Sequence, residues 1–223
     1  MLPFRLAMRA YKFLDTHFGL KSLYERRLKQ SRISDLNDPF ELTPYDLTDF
    51  VIRQVFLKTK DDLAADRGML CFSAAWCDPV IWAQYSDKHR GLCVGFEIPN
   101  IKGDPENDES HHVTYVAKPL RFPPDFEDRP DAERFAIVQQ VLFTKYEHWA
   151  YEQEIRVWAP LENEENGLHY LEFDEKLRHV EIIIGARSAV AESSITRALG
   201  SLAGQVKIIR ARAAYDRFEM VKG

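Results

Sequence analysis

The sequence predicts an α+β protein with a mixed, mostly antiparallel sheet as its core and helices flanking that sheet. Segments with the apolar spacing of helices are interspersed with short apolar runs typical of buried strands. The order of these segments lacks the regular strand–helix alternation of a parallel sheet. Neither an internal repeat nor a linker interrupts the chain, so we expect a single domain over residues 1–223.

Two helices are predicted in the first third of the chain. Residues 20–30 and 46–66 carry apolar side chains at helical spacing. Between them, Asn37, Asp38 and Pro39 form a turn signal, because Asn and Asp side chains bond nearby backbone and Pro fixes its φ angle. Asn37 and Asp38 are also candidates for positioning the ribose or phosphate of a ligand.

A strand–helix–strand unit is predicted next. Residues 69–75 and 92–98 are apolar runs of the length of buried strands. Between them, Asp78 supplies a cap acceptor and Pro79 suits the first helical position, so a helix begins there. Gly91 suits the left-handed residue that follows a helix, so we expect this helix to extend to residue 90.

The second half of the chain is predicted to alternate loops, helices and strands. Residues 103–110 are acidic and predict a loop, and the four prolines of residues 118–131 predict an extended connection. The remaining elements are a strand at 113–116, a long helix from 131, strands at 154–160, 168–173 and 179–185, a helix at 193–203 and a strand at 206–215.

Composition narrows the class of protein. The net charge of −5 does not indicate a non-specific nucleic-acid binder and suits a small ligand better. Cys71, Cys77 and Cys93 are odd in number and form no CxxC pair, which favours reduced thiols in the cytoplasm. No apolar run has the length of a membrane span, so we expect a cytoplasmic protein without a membrane partner. The oligomeric state is left open.

Residues 151–158 concentrate ionisable side chains. If this segment is a strand, alternation places Glu152, Glu154 and Arg156 on one face. Two carboxylates so close together repel each other unless a cation, a ligand or water balances them, and Arg156 is the nearest cation. An exposed strand face with an ordinary ion-pair ladder would give the same pattern.

The helix predicted from Pro79 carries an aromatic stripe. Trp82, Tyr85 and His89 lie at positions i, i+3 and i+7, on one side of a helix. Such a stripe is usually part of a core, but it would also form an aromatic wall for a flat ligand. Ser73, at the end of the preceding strand, either faces the same cleft or closes the turn into the helix.

Several of these segments together resemble a widespread bacterial family, domain of unknown function 2971. The segments are SDLNDPFE, LCFSAAWCDPVIWAQYSDKHRGLCVGFEI, KYEHWAYEQEIRVW and EIIIG. Their order agrees with the family over residues 11–215, and the tryptophan–tyrosine–histidine–glycine helix and the paired-glutamate strand make the match specific. The resemblance implies that the segments belong to one fold, and it implies no activity.

A second resemblance is to ADP-ribosyltransferases with a Glu-x-Glu motif. Residues 152–160, EQEIRVWAP, are similar to that motif and the strand that follows it. Those enzymes also use an earlier strand that ends in serine, which Ser73 matches, and a basic residue on the first strand. Lys12 is the early basic residue here, whereas arginine or histidine is usual in those enzymes.

This resemblance implies an ADP-ribosyltransferase-like fold and an NAD-dependent transferase or NAD glycohydrolase. Glu154 would stabilise the cationic ribose formed when nicotinamide leaves, and Glu152 would orient the acceptor. The residues expected to bind NAD are Ser73, Trp82, Tyr85, His89, Lys12, Arg156, Asn37 and Asp38. The partners would be the nucleotide and an acceptor that the sequence does not identify.

Two other classes of function are compatible with the same residues. A metal-dependent hydrolase or nuclease would use Asp38, Glu152 and Glu154 and would require Mg²⁺ or Mn²⁺. A non-catalytic module would bind a nucleotide or a protein without turnover. The expected chemistry is the NAD-dependent one, for which no metal is predicted.

Overall fold

One sheet of eight strands forms the centre of the structure, a computed structural model that describes residues 7–99 and 110–223. The strands are β1 (Ala7–Leu14), β2 (Arg27–Lys29), β3 (Arg67–Ser73), β4 (Leu92–Pro99), β5 (Ser110–His112), β6 (Thr114–Val116), β7 (Thr144–Tyr146), β8 (Glu154–Pro160), β9 (Glu164–Glu165), β10 (Leu168–Glu172), β11 (Arg178–Ile184), β12 (Lys207–Ala213) and β13 (Met220–Lys222). The helices are α1 (Thr16–Glu25), α2 (Phe50–Asp66), α3 (Pro79–Tyr85), α4 (Asp131–Phe143) and α5 (Glu192–Leu199).

The strand order of the large sheet is β13-β12-β11-β4-β1-β3-β8-β5. All neighbours are antiparallel except β11 and β12, which are parallel. The predicted fold class, α+β with a mostly antiparallel sheet and flanking helices, is therefore confirmed. In the register of β3 and β8, Ser73 is paired with Glu154. The segment that begins with β3 and the segment that contains β8 carry most of the candidate residues, and this pairing brings them together in space.

The two faces of the large sheet are packed differently. One face is covered by α1 and α5 and contributes an apolar cluster that includes Val94, Phe96, Ile155 and Ile182. The opposite face contributes smaller apolar clusters and, on β8, the buried side chain of Arg156. The buried charge of β8 therefore lies on the second face of the sheet.

The helix predicted up to residue 90 ends earlier, at Tyr85. Asp87, Lys88 and His89 all have positive φ angles, which an α-helix does not allow. Glycine is required at position 91, but not because the residue is the predicted left-handed cap of the helix. A Cβ atom there would lie 2.0 Å from the backbone oxygen of Leu14, so only glycine fits where the chain passes β1.

The strand predicted at residues 154–160 is confirmed as β8, but it does not extend back to residue 151, as strand alternation over residues 151–158 would require. Residues 147–152 form a 3₁₀-helix, Gln153 adopts a left-handed conformation (φ 43°, ψ 50°), and β8 begins only at Glu154. The first predicted helix likewise ends at Glu25, because Arg26 is left-handed and the chain continues as β2. The acidic loop predicted at 103–110 lies, apart from its last residue, outside the described residues.

Candidate functional site

A turn, rather than strand alternation, brings the two glutamates of the Glu-x-Glu pair together. Glu152 is the last residue of the 3₁₀-helix and Glu154 the first of β8, and the left-handed Gln153 reverses the chain between them. Both carboxylates accept hydrogen bonds from Lys145 Nζ, at 2.7 Å for Glu152 and 3.1 Å for Glu154. The predicted proximity of the two glutamates is thus observed, with a different local cause.

Arg156 balances Glu154 as predicted. Its Nε donates to Glu154 Oε1 at 2.8 Å, and one terminal nitrogen lies 2.6 Å from Glu41 Oε1. The other terminal nitrogen donates to the backbone oxygen of Leu142 at 2.8 Å. Arg156 has no exposed surface, so this is a buried ion pair and not the ladder of an exposed strand face.

These contacts define an ionic cluster of three carboxylates and two cations. Its members are Glu41, Lys145, Glu152, Glu154 and Arg156, and all five are buried. Buried charges are stable only where opposite charges and hydrogen bonds replace the lost water. Here every carboxylate lies beside at least one of the two cations.

The cluster changes the acidity of its members. Burial alone would raise the pKa of Glu154, but the adjacent charges of Arg156 and Lys145 outweigh burial and lower the pKa to about 2. Glu154 therefore stays ionised at neutral pH. Burial raises the pKa of Glu41, against the attraction of Arg156. The pKa of Lys145 is raised, because the surrounding carboxylates outweigh the effect of its burial, so its ammonium group stays charged.

Tyr85 joins this cluster to the surface. Its hydroxyl donates to Glu152 Oε1 at 2.5 Å and accepts a longer contact, 3.4 Å, from the side-chain nitrogen of Asn37. Burial and the neighbouring Glu152 raise the pKa of the Tyr85 hydroxyl, so it remains a donor at neutral pH. The ring is 37% exposed and thus reaches solvent.

A cavity of about 300 Å³ opens beside Tyr85. We call it the carboxylate cavity, because Asp35, Glu41, Glu152 and Glu154 line it. Its volume is at the lower end of the range for small-molecule sites. The remaining lining residues are Tyr11, Lys12, Phe13, Ser31, Leu36, Asn37, Cys71, Phe72, Ser73, Ile81, Tyr85 and Lys145.

Comparison with known proteins identifies one family in the middle of the chain. Residues 81–157 match the model described as "Protein of unknown function (DUF2971)". The predicted family resemblance is confirmed over these residues, whereas the ADP-ribosyltransferase resemblance receives no support from the comparisons. No curated protein and no solved structure matches the chain.

The DUF2971 segment contributes only part of the carboxylate cavity. Five lining residues belong to it: Ile81, Tyr85, Lys145, Glu152 and Glu154. The rest of the wall comes from outside the match: β1, the turn after β2 and the end of β3. The predicted site residues Lys12, Asn37 and Ser73 lie there.

Lys12 and Ser73 line the cavity while also making local hydrogen bonds. Lys12 Nζ donates to the backbone oxygen of Cys71 at 2.9 Å. Ser73 Oγ donates to the backbone oxygen of Ala75 at 2.7 Å and accepts from the Ala75 nitrogen at 3.2 Å, which closes the turn after β3. Both of the roles foreseen for Ser73, turn closure and a position in the cleft, are therefore observed.

Four of the residues expected to bind NAD do not line the carboxylate cavity: Trp82, His89, Asp38 and the fully buried Arg156. Trp82 is completely buried, and its Nε1 donates to the backbone oxygen of Trp76 at 2.6 Å. The His89 ring lies parallel to the Trp82 ring, with 6.3 Å between their centroids. The stripe is split because Trp82 faces the core and the helix ends before His89. Asp38 is buried in the predicted turn, where its side chain accepts from Phe40 N at 2.9 Å.

Three residues of the site were missed at the sequence level. Glu41 lies within the NDPFE segment, where the turn-forming Asn37 and Asp38 give the stronger local signal. Lys145 precedes the Glu-x-Glu pair by seven residues, a spacing that has no meaning until the 3₁₀-helix folds the chain back. The Tyr115 hydroxyl accepts from the backbone nitrogen of Glu154 at 2.8 Å, a contact between β6 and β8 that no local pattern indicates.

The described residues offer no ready metal site. Within residues 7–99 and 110–223, no three His, Cys, Asp or Glu side chains are grouped to hold a metal ion. The position between Glu152 and Glu154 is taken by the ammonium group of Lys145. Nor does any helix in the described ranges have the length and apolarity needed to cross a membrane.

Proposed function

We propose that this protein cleaves the bond between nicotinamide and ribose in NAD and transfers the ADP-ribosyl group to water or to a second acceptor. The observation that supports the proposal is the pair of fixed carboxylates, Glu152 and Glu154, in the wall of one cavity beside an exposed tyrosine. A cavity of about 300 Å³ suits the nicotinamide–ribose part of the nucleotide.

The chemistry requires negative charge close to the ribose. When the bond from ribose C1′ to the ring nitrogen breaks, both electrons leave with nicotinamide, which becomes neutral, and the sugar becomes an oxocarbenium ion. A carboxylate held in place stabilises that cation without having to reorganise. Glu154 suits this role because its lowered pKa keeps it charged. The acceptor then attacks C1′ and loses one proton.

Glu152 is assigned to orienting the acceptor. Its two carboxylate oxygens accept from different partners, Oε1 from the Tyr85 hydroxyl and Oε2 from Lys145. This arrangement fixes the plane of the carboxylate, and it places Tyr85 where a ligand ring could stack on it. In this proposal Lys145 and Arg156 are positioning residues, because they hold the carboxylates.

The proposal is tested by incubating the purified protein with NAD and measuring nicotinamide release. Glu154→Gln and Glu152→Gln each remove a negative charge at nearly constant volume, and each is expected to lower the release rate by at least about a hundredfold. Glu175→Gln is the matched control, because Glu175 is exposed in the loop before β11 and should leave the rate unchanged. A folded wild-type protein that releases no nicotinamide, with protein or nucleic-acid acceptors present, would refute the proposal.

A second candidate, a module that binds the nucleotide without cleaving it, is favoured by one observation. Both carboxylate oxygens of Glu154 are already held by Arg156 and Lys145, as in a purely structural network. Saturable binding of NAD without turnover would select this candidate. In that case Glu154→Gln would change the stability of the protein, and there would be no activity to lose.

A further inference from the structure

A second cavity adjoins the carboxylate cavity and has the opposite charge. Its volume is about 290 Å³, and it lies between β1, α1 and β2. We call it the basic cavity, because four cationic side chains line it against two acidic ones. The cations are Lys12, Lys21, Arg27 and Lys29, and the acids are Asp15 and Glu25.

The two cavities share a wall. Lys12, Phe13, Ser31 and Tyr85 line both of them. The carboxylate cavity, on the other side of this wall, has the reverse charge balance, because its lining includes four carboxylates and only two lysines. A ligand that extends across the wall would therefore meet negative charge at one end and positive charge at the other.

The acidic residues of the basic cavity are already engaged. The Asp15 side chain caps α1 by accepting from Phe18 N at 2.8 Å. Glu25 accepts from Arg27 Nε at 2.9 Å, and Arg27 also lies 2.7 Å from Glu165. Arg27 is thus neutralised by the protein. Lys21 lies 3.9 Å from Glu25 and Lys29 lies 4.0 Å from Asp35, both at the outer limit of an ion pair. Lys12 is therefore the cation of this cavity that is most available to a ligand.

Lys12 has the most suitable position among these lysines. It is half-buried in the shared wall, and in the described part of the chain no carboxylate lies within ion-pair distance of it. Lys12 donates one hydrogen bond to the backbone oxygen of Cys71, and an ammonium group has three donors. Two donors are therefore left for an anionic group at the junction of the cavities.

We propose that the basic cavity binds the phosphates of the same ligand whose cationic end lies in the carboxylate cavity. The ligand class is a nucleotide with a positively charged base on its ribose and a diphosphate on the 5′ side. Lys12 contacts the phosphate nearest the ribose, and Lys21 and Lys29 contact the next. The identity of the cationic end of the ligand rests on the proposed function. The phosphate site can be tested independently of that function.

The first test compares three probes with the wild-type protein by calorimetry. NAD has both charged ends, ADP-ribose has the diphosphate without the cationic ring, and nicotinamide riboside has the ring without phosphate. NAD is expected to bind at least about tenfold more tightly than nicotinamide riboside, because charge-assisted contacts to phosphate are added. Equal affinities for these two probes would overturn the inference.

The second test uses variants that remove the lysine charges. Lys12→Gln and the double variant Lys21→Gln/Lys29→Gln are each expected to weaken NAD and ADP-ribose binding about tenfold and to leave nicotinamide riboside binding unchanged. The double variant changes only side chains near the surface, so it remains informative if Lys12→Gln misfolds. Lys207→Gln, exposed on β12, is the matched control and should affect none of the probes.

The outcomes separate this inference from the proposed function. ADP-ribose binding that is the same in the wild type and both variants overturns the basic cavity as a phosphate site, even if nicotinamide release is observed. Lysine-dependent ADP-ribose binding in a protein that releases no nicotinamide supports the phosphate site and refutes the cleavage reaction.

Discussion

The two faces of the large sheet are buried equally on β8 but are stabilised by opposite kinds of interaction. Ile155 and Arg156 are consecutive, and neither has exposed surface. Ile155 belongs to an apolar cluster with Val94 and Phe96, whereas Arg156 is surrounded by two carboxylates and a backbone oxygen. Strand β8 thus contributes one face to the apolar core and the other face to the ionic cluster.

The comparison shows that burial alone does not determine how a position responds to substitution. Apolar contacts are non-directional, so a slightly smaller side chain loses only the contacts of the missing atoms. The ionic cluster depends on its charge balance. Because its carboxylates outnumber its cations by one, losing a cation increases the imbalance, whereas losing a carboxylate removes it.

The largest expected effect is therefore that of Arg156→Met. This change leaves Glu154 and Glu41 in the interior without their guanidinium partner, and breaking a buried ion pair in this way costs about 3–5 kcal/mol of unfolding free energy. Denaturant unfolding measures the loss. The double variant Glu154→Gln/Arg156→Met should be less destabilised than the two single changes added together, since they act on one network. Simple additivity would show that the two side chains are not coupled.

The next largest effect is the change in unfolding free energy at low pH. The folded-state pKa of Glu154, about 2, lies below the ordinary value of 4.5, so its contribution is fully present above pH 4.5 and is lost as the pH falls towards 2. A depression of this size corresponds to about 3 kcal/mol. The difference in unfolding free energy between wild type and Glu154→Gln should therefore narrow over that pH range.

A difference that stayed constant from pH 6 to about 2 would contradict this account. It would mean that the Glu154 carboxylate is no more acidic in the folded protein than in the unfolded chain. Unfolding should be measured at constant ionic strength, because salt screens charges that are partly exposed.

The smallest effect is expected on the apolar face. Ile155→Val removes one methylene group from a well-packed cluster and should lower the unfolding free energy by about 0.5–1.5 kcal/mol. Unlike the Glu154 contribution, this loss should not vary with pH. A loss as large as that of Arg156→Met would show that the two faces do not differ in the way described.

The sequence was sufficient to predict five of the eight strands of the main sheet, β3, β4, β8, β11 and β12, because apolar runs and caps are local signals. It did not predict β1, which lies inside the sheet between β4 and β3, or the edge strands β5 and β13. Asp78 and Pro79 begin α3 as predicted, and β3, β4 and β11 lie within two residues of their predicted positions at both ends. The errors occurred where tertiary contacts override local spacing. The three left-handed residues after α3 ended a helix that the apolar pattern would have continued.

The site was only partly predictable for a related reason. Glu154 and Arg156 pair because they are two residues apart on a strand, so alternation was enough to predict their contact. Glu41 and Lys145 reach the same cluster through long-range folding, and nothing in their own surroundings marks them. Trp82 had the spacing of a ligand wall, but that spacing is equally typical of a core, and in this structure the core position is the observed one.

The ammonium group of Lys145 has a consequence for reactivity. Amines attack acyl, aldehyde and ester groups only through the free lone pair of the deprotonated form. With its pKa raised by the surrounding carboxylates and its side chain buried, Lys145 has almost no such form at neutral pH. Both effects disfavour Lys145 as a nucleophile or Schiff-base residue. We therefore expect covalent reagents that modify lysines to label the solvent-exposed amines of this protein faster than Lys145.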